Sequence, residues 1–301
     1  MKPKGIITAM VTPLDKTDHI NAEATKQLVN RLIEKKVDGL FILGTNGEFH
    51  RLTDLEKIRF AELVISEVNG RVPVYVGTGG NSTAQVIALS KEMTAVGADA
   101  LSVITPYLVK ITENELLHHY LSIAETQIAP LMLYNIPKNT GITITKNVVE
   151  RLADHQNVIG IKDSSGDIET IKQYLNAAEG QAFSVLSGSD SLILEALKIG
   201  ATGAVAATSN VLTEIDVAIY RYWSQGKLKE AQEMQESIEA FRRILKLGTV
   251  PSVLKAAVRQ QGIDVGAARL PVMEPNQQVM AEIEQTMANY LKNSVLYKRR
   301  K

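Results

Sequence analysis

A chain of 301 residues with 45% hydrophobic content can bury the core of one barrel-sized domain, and its 33 basic residues balance 33 acidic ones. The basic stripe of a nucleic-acid partner is missing, since the only basic run is the terminal Lys298-Arg299-Arg300-Lys301, which reads as a solvated end. The lack of cysteine excludes disulfides, thiolate nucleophiles and cysteine-bound metals, and no run of about 18 apolar residues marks a membrane span.

Met1-Lys2-Pro3-Lys4 runs straight into a strand-like stretch, and the expectation is a soluble, cytoplasmic protein. From residue 5 to 224, short apolar runs alternate with amphipathic segments at a spacing of roughly 25 to 30 residues, as chained βα units do. Strands are expected over 5–11, 39–43, 74–77, 100–104, 131–135, 158–161, 183–186 and 203–206. Helical periodicity lies between them, as in Ala61, Leu63, Val64 and Val68, or Val86, Leu89, Met93 and Ala95. Eight units predict an α/β fold closed into a (β/α)₈ TIM barrel; an open doubly wound sheet uses the same units and is the alternative.

After residue 225 the strand signal stops. Leu228, Ala231, Met234, Ile238, Phe241 and Leu245 share one face of a helix predicted over 227–247. Helices over 253–258 and 279–291 follow, separated by a Gly/Pro-containing loop at 262–275. The chain is therefore read as a barrel carrying the active site over 1–224 and a C-terminal helical extension over 225–301, which covers the barrel or packs against another subunit.

Within the barrel the residue to explain is Lys162, at the end of Val158-Ile159-Gly160-Ile161-Lys162-Asp163. A lysine seldom ends a buried strand without a partner or a task, although many such lysines only snorkel to water. Uninterrupted alternation puts Val158, Gly160 and Lys162 on one face, with Gly160 leaving space beside the lysine stem. In a barrel, polar residues at the carboxyl ends of strands converge at one mouth. Four sequences qualify. Gly44-Thr45-Asn46-Gly47-Glu48 has glycines for a tight turn aiming N–H groups at an anion, or is an ordinary turn before a helix capped by Thr53 with Glu56 at capping-box spacing. Tyr134, by parity with Met132, projects toward the axis beside Lys162. Ser187-Gly188-Ser189-Asp190 and Gly203-Ala204-Val205-Ala206-Ala207-Thr208-Ser209-Asn210 offer small or hydroxylated residues for a phosphate, a polyol or helix caps. His19, His50, His118, His119 and His155 form no metal motif and are expected at the surface or at helix caps.

Taken together, Gly44-Thr45-Asn46-Gly47-Glu48, Tyr134-Asn135-Ile136-Pro137 with Thr140-Gly141, and Gly160-Ile161-Lys162-Asp163 resemble the dihydrodipicolinate synthase and N-acetylneuraminate lyase family. The similarity runs from Gly5-Ile6-Ile7-Thr8-Ala9-Met10-Val11-Thr12-Pro13 to Arg269-Leu270-Pro271, nearly the whole chain. It implies a homotetramer or homodimer and lyase chemistry without cofactor or metal, in which a lysine forms a Schiff base with pyruvate or a 2-oxo acid. By the resemblance Lys162 is that lysine, Tyr134 relays protons, and Thr45 and Asn46 bind the pyruvyl carboxylate and orient the tyrosine. Gly47, Asn139, Ser164, Gly188, Asp190 and Val205 are the further substrate-binding candidates. A free lysine is only about 0.04% neutral at pH 7, and burial raises the neutral fraction that can attack a carbonyl.

Departures from the family pattern bear on the substrate. Leu108 in Pro106-Tyr107-Leu108 stands where synthases carry a second relay tyrosine, leaving Tyr107, a water or a shorter relay; Asn139, preceded by Lys138, stands where they carry an arginine for the carboxylate of aspartate semialdehyde. The expectation is an aldolase or lyase for a 2-oxo-3-deoxy sugar acid or related hydroxy-2-oxo acid, with hydroxyls reaching Asp190 or Ser164. The alternatives are a dihydrodipicolinate synthase using Lys138, and a catalytically silent barrel that binds a 2-oxo acid.

Overall fold

Strands buried on both faces need continuous apolar runs, and eight of them close here into a parallel barrel in a computed structural model that describes residues 2–126 and 128–293. They are β1 (Gly5–Ala9), β2 (Gly39–Ile42), β3 (Val74–Gly77), β4 (Ala100–Ile104), β5 (Leu131–Asn135), β6 (Val158–Asp163), β7 (Ser184–Ser187) and β8 (Gly203–Ala206). Each pairs with its sequence neighbour, and β8 returns to β1 with Val205 beside Ile7. Closure settles the choice between barrel and open sheet. The basic tail at 298–301 lies outside the described residues.

Between the strands run α1 (Ala22–Glu34), α2 (Asp54–Val68), α3 (Thr83–Val96), α4 (Glu113–Ala124), the single turn α5 (Pro137–Thr140), α6 (Lys146–Ala153), α7 (Ile168–Ala177), α8 (Ile193–Lys198) and α9 (Thr213–Ser224). The Thr53–Glu56 capping box opens α2 as its spacing predicts, and Thr112 with Glu115 opens α4 in the same way. Val86, Leu89 and Met93 face the core, whereas Ala95 is exposed.

Strand ends differ from expectation for identifiable reasons. β1 stops at Ala9 because the N–H of Val11 leaves the sheet for the Asn210 side chain, 3.1 Å away. β6 runs on to Asp163 because Lys162 and Asp163 pair with Tyr134 and Asn135 of β5. A bulge interrupts this pair lower down, where Leu131 sits beside Val158 but Met132 beside Gly160. Ile159 is the extra residue, so the alternation expected to carry Val158 onto the lysine's face is broken.

The expected helix over 227–247 is two helices, α10 (Leu228–Ser237) and α11 (Glu239–Leu245). The hydroxyl of Tyr290, from α13 (Gln277–Asn293), enters the ladder at the junction. It donates to Ser237 O at 2.6 Å and accepts from Phe241 N at 3.1 Å, which breaks the helix there. Leu228 opens α10 half-exposed, while Ala231, Ile238, Phe241 and Leu245 are buried as predicted. Between these helices and α13 lies α12 (Val250–Arg259), nearly all of it buried. Among the described residues no helix is long and apolar enough to cross a membrane.

His119 is not at the surface but buried in α4, its Nδ1 2.8 Å from Thr83 Oγ1. Burial pushes its pKa down from 6.5 to about 4. An unfolded chain takes up this proton first, so acidification favours unfolding until the folded form also protonates. The protein should lose on the order of 2 kcal/mol between the two values. Scanning calorimetry across that range should show a falling Tm whose slope flattens in His119→Phe; an equally steep slope in the variant would place the titration elsewhere.

Candidate active site

Lys162 leaves the end of β6 with only 4% of its surface exposed, yet no carboxylate among the described residues lies within ion-pair distance of it. Two aromatic rings take that place. Its Nζ sits 3.9 Å from the centroid of the Tyr134 ring and 4.6 Å from that of Phe41. The rings meet edge to face at 6.0 Å, which fixes the tyrosine's tilt. Register explains the pairing, because Tyr134 and Lys162 are direct neighbours across β5 and β6. The Tyr134 hydroxyl reaches Thr45 Oγ1 at 3.2 Å, so the parity reading of Tyr134 and the turn reading of Thr45 meet at one hydrogen bond.

Space beside the lysine stem comes from a different glycine than expected. A Cβ on Gly160 would stand 2.4 Å from Ser184 O, in the adjacent strand, whereas one on Gly188 would stand 2.9 Å from Lys162 Cε. Gly188 is therefore the residue that admits the lysine. Below it, the buried Asp163 carboxylate accepts from Asn135 Nδ2 at 2.7 Å and Ser165 Oγ at 2.6 Å, fixing the chain just beyond the lysine. Its pKa is raised, chiefly by burial, and those two hydrogen bonds oppose the rise.

The turn after β2 is tight, though its glycines work through their missing Cβ rather than through a left-handed backbone. Leu43 (φ 56°) and Glu48 (φ 57°) are the left-handed residues, at a steric cost of roughly 1–2 kcal/mol each. A Cβ on Gly44 would press on the Phe41 ring at 2.5 Å, and one on Gly47 on the Leu43 backbone at 3.1 Å. Thr12 Oγ1 donates to Gly47 O at 2.7 Å, and Glu48 N to Thr45 O at 3.2 Å. Thr45 and Asn46 remain partly exposed at the apex, and the Asn46 side chain makes no hydrogen bond among the described residues.

The other candidates lie in differing surroundings. Asp190 was expected to meet substrate hydroxyls; instead its two carboxylate oxygens accept from Ala207 N at 3.0 Å and Thr208 N at 3.3 Å, clamping the turn after β8. Ser164 Oγ donates to Gly188 O at 3.3 Å. Val205 is buried within β8. Asn139 and Lys138 are exposed on α5, whose Thr140 is tied to Thr105 Oγ1 at 2.9 Å. Tyr107 stacks edgewise on Phe49, its ring contact among the described residues, and its backbone N–H is held by Asn81 at 2.7 Å. Leu108 is 91% exposed with φ 82°. Phe41 carried no polar signal in the sequence, and only its position three residues before Gly44 on an inward strand could have marked it. No group of three or more His, Asp or Glu side chains among the described residues is arranged to hold a metal.

Fold and site together define a (β/α)₈ barrel with a buried lysine at the carboxyl end of a strand. The sequence matches the model of the dihydrodipicolinate synthetase family over residues 2–290, and the chain belongs to that family. It is 35% identical over 285 residues to a 4-hydroxy-tetrahydrodipicolinate synthase of Oceanobacillus iheyensis, covering 95% of this chain and 96% of the relative. The crystal structure of a dihydrodipicolinate synthase from Bacillus anthracis superposes with a TM-score of 0.92 at 34% identity, over 96% of this chain and 99% of that one. A prophage protein of the same family from E. coli, solved in complex with pyruvate, superposes with a TM-score of 0.92 at 30% identity, over 95% and 98% of the two chains. The chain is accordingly a lyase of the Schiff-base pyruvate aldolase class.

Proposed function

We propose that Lys162 attacks the keto carbon of pyruvate or a related 2-oxo acid, that Tyr134 and Thr45 move the protons, and that Asn46 and the turn through Gly47 bind the carboxylate. The observation that carries this reading is the buried Lys162 amine set against two rings, with no carboxylate among the described residues within ion-pair distance and a hydrogen-bonded Tyr134–Thr45 pair adjoining. Addition of the amine gives a carbinolamine, and a proton delivered through Tyr134 lets its hydroxyl leave as water. The protonated imine then draws electrons from the methyl carbon. Loss of a proton there gives an enamine that adds to an aldehyde, and the reverse sequence cleaves a hydroxy-2-oxo acid.

The synthase names of the relatives favour aspartate semialdehyde as the aldehyde, giving 4-hydroxy-tetrahydrodipicolinate. Cleavage of a 2-oxo-3-deoxy sugar acid is the second reading, favoured by Asn139 and Leu108 of this chain. Of the hydroxyl partners this reading calls on, Asp190 already accepts two backbone N–H groups and Ser164 Oγ donates to Gly188 O, which leaves each with acceptor capacity only. Steady-state assays of both reactions decide between the two, and turnover of either rejects a merely binding barrel. Assembly into homodimers or homotetramers belongs to the same reading, supported by exposed Leu108 and Val109.

Position 139 gives this choice a direct test. An arginine offers a carboxylate a charged fork that an amide lacks. Asn139→Arg should therefore raise kcat/KM for aspartate semialdehyde by about 10- to 100-fold, the worth of one charge-assisted contact present in the transition state. An unchanged value would mean that residue 139 does not face the aldehyde.

A further inference from the structure

Beneath the turn at 44–48 lies a charged group that the reaction itself does not use. Lys255, on α12 and 0% exposed, reaches from the helices that follow the barrel to within 2.7 Å of Glu48 Oε1, oriented more as an ion pair than as an aligned hydrogen bond. Its Nζ also donates to Ala267 O at 2.8 Å. The other oxygen of Glu48, Oε2, accepts from Arg269 N at 2.9 Å and Arg51 Nη1 at 3.2 Å. Glu48 is itself 1% exposed and holds the left-handed backbone that turns the chain back after Asn46 and Gly47. A strained residue persists only where its surroundings over-determine it, and here two hydrogen-bond donors and one ion-pair partner do so, two of the three from the segment beyond the barrel.

The charge count matters as much as the geometry. The Glu48 carboxyl faces two basic side chains, Lys255 and Arg51, so that it is countered just below the residues assigned to an anionic carboxylate. An isolated buried Glu48 would instead repel that carboxylate and release the turn.

We propose that Lys255, through Glu48, is a positioning residue for 2-oxo acid binding: it locks the Thr45–Gly47 turn in its carboxylate-binding shape and cancels the negative charge beneath it. This rests on the function proposed above. It gives the C-terminal helices a part in the site of their own chain, beyond covering the barrel.

Lys255→Met should raise KM for pyruvate about 10- to 100-fold while kcat stays within about threefold, because the contact it removes serves binding before and during reaction alike. The pyruvate concentration for half-maximal borohydride trapping of Lys162 should rise in parallel. Should the single variant fail to fold, Lys255→Met with Glu48→Gln removes both buried charges and should still raise KM with kcat within about threefold, though by less, because the repulsion goes while the lock on the turn is lost. A folded variant with lower Tm but unchanged KM, or a fall in kcat at unchanged KM, would overturn the proposal. Absence of trapping in the unmodified protein would instead overturn the function on which it rests.

Discussion

Lys162→Ala protein is expected to lose turnover by at least about 10⁴-fold while keeping its fold, because the change removes the nucleophile and leaves the walls of its pocket in place. The stem lies against Gly188 and the rings of Phe41 and Tyr134, none of which depends on the ammonium for its backbone position. Activity assays beside a thermal melt check this. Residual activity within tenfold of the unmodified protein would show that another group carries the reaction.

Tyr134→Phe should lower kcat by about 10²- to 10⁴-fold, the usual worth of a positioned proton donor and acceptor. The phenylalanine ring can keep the edge-to-face contact with Phe41, so what disappears is the hydroxyl 3.2 Å from Thr45. Loss of that hydrogen bond costs about 1 kcal/mol of stability at most. Imine formation should slow but survive, since Lys162 is untouched, and single-turnover trapping separates the two effects. A fully active variant would remove Tyr134 from the proton path. The comparison gains interest from Leu108, whose exposed side chain has no proton to pass, so that the proposed relay rests on the Tyr134–Thr45 pair, with Tyr107 or a water as the alternatives.

Much of this was legible in the residues. Parallel barrel strands are apolar on both faces, so six of the eight strands were readable to within a residue at each end, and a lysine closing one of them stood out against its surroundings. Tyr134 followed from parity, since the bulge that upsets alternation in β6 lies before Gly160 and leaves the Tyr134–Lys162 pairing in phase. What escaped depends on contacts distant in sequence. Lys255 occupies a helix, where a lysine ordinarily faces water, and nothing local marks it as buried against a glutamate 207 positions earlier. Asp190 sits in a turn that the sequence leaves open between a phosphate, a polyol and a helix cap, and only the fold brings the two N–H groups of Ala207 and Thr208 to it. The break between α10 and α11 is likewise set from outside, by the Tyr290 hydroxyl of a helix about fifty residues on. Strand parity points to Gly160 beside the lysine stem, and only the closed barrel shows that Gly188 takes that place.

The most direct test of the account is to incubate the protein with pyruvate, reduce with borohydride and map the modified peptide by mass spectrometry. A single stable adduct on Lys162, absent in Lys162→Ala, is the predicted result. An adduct on a different lysine, or equal labelling of Lys162→Ala, would contradict it.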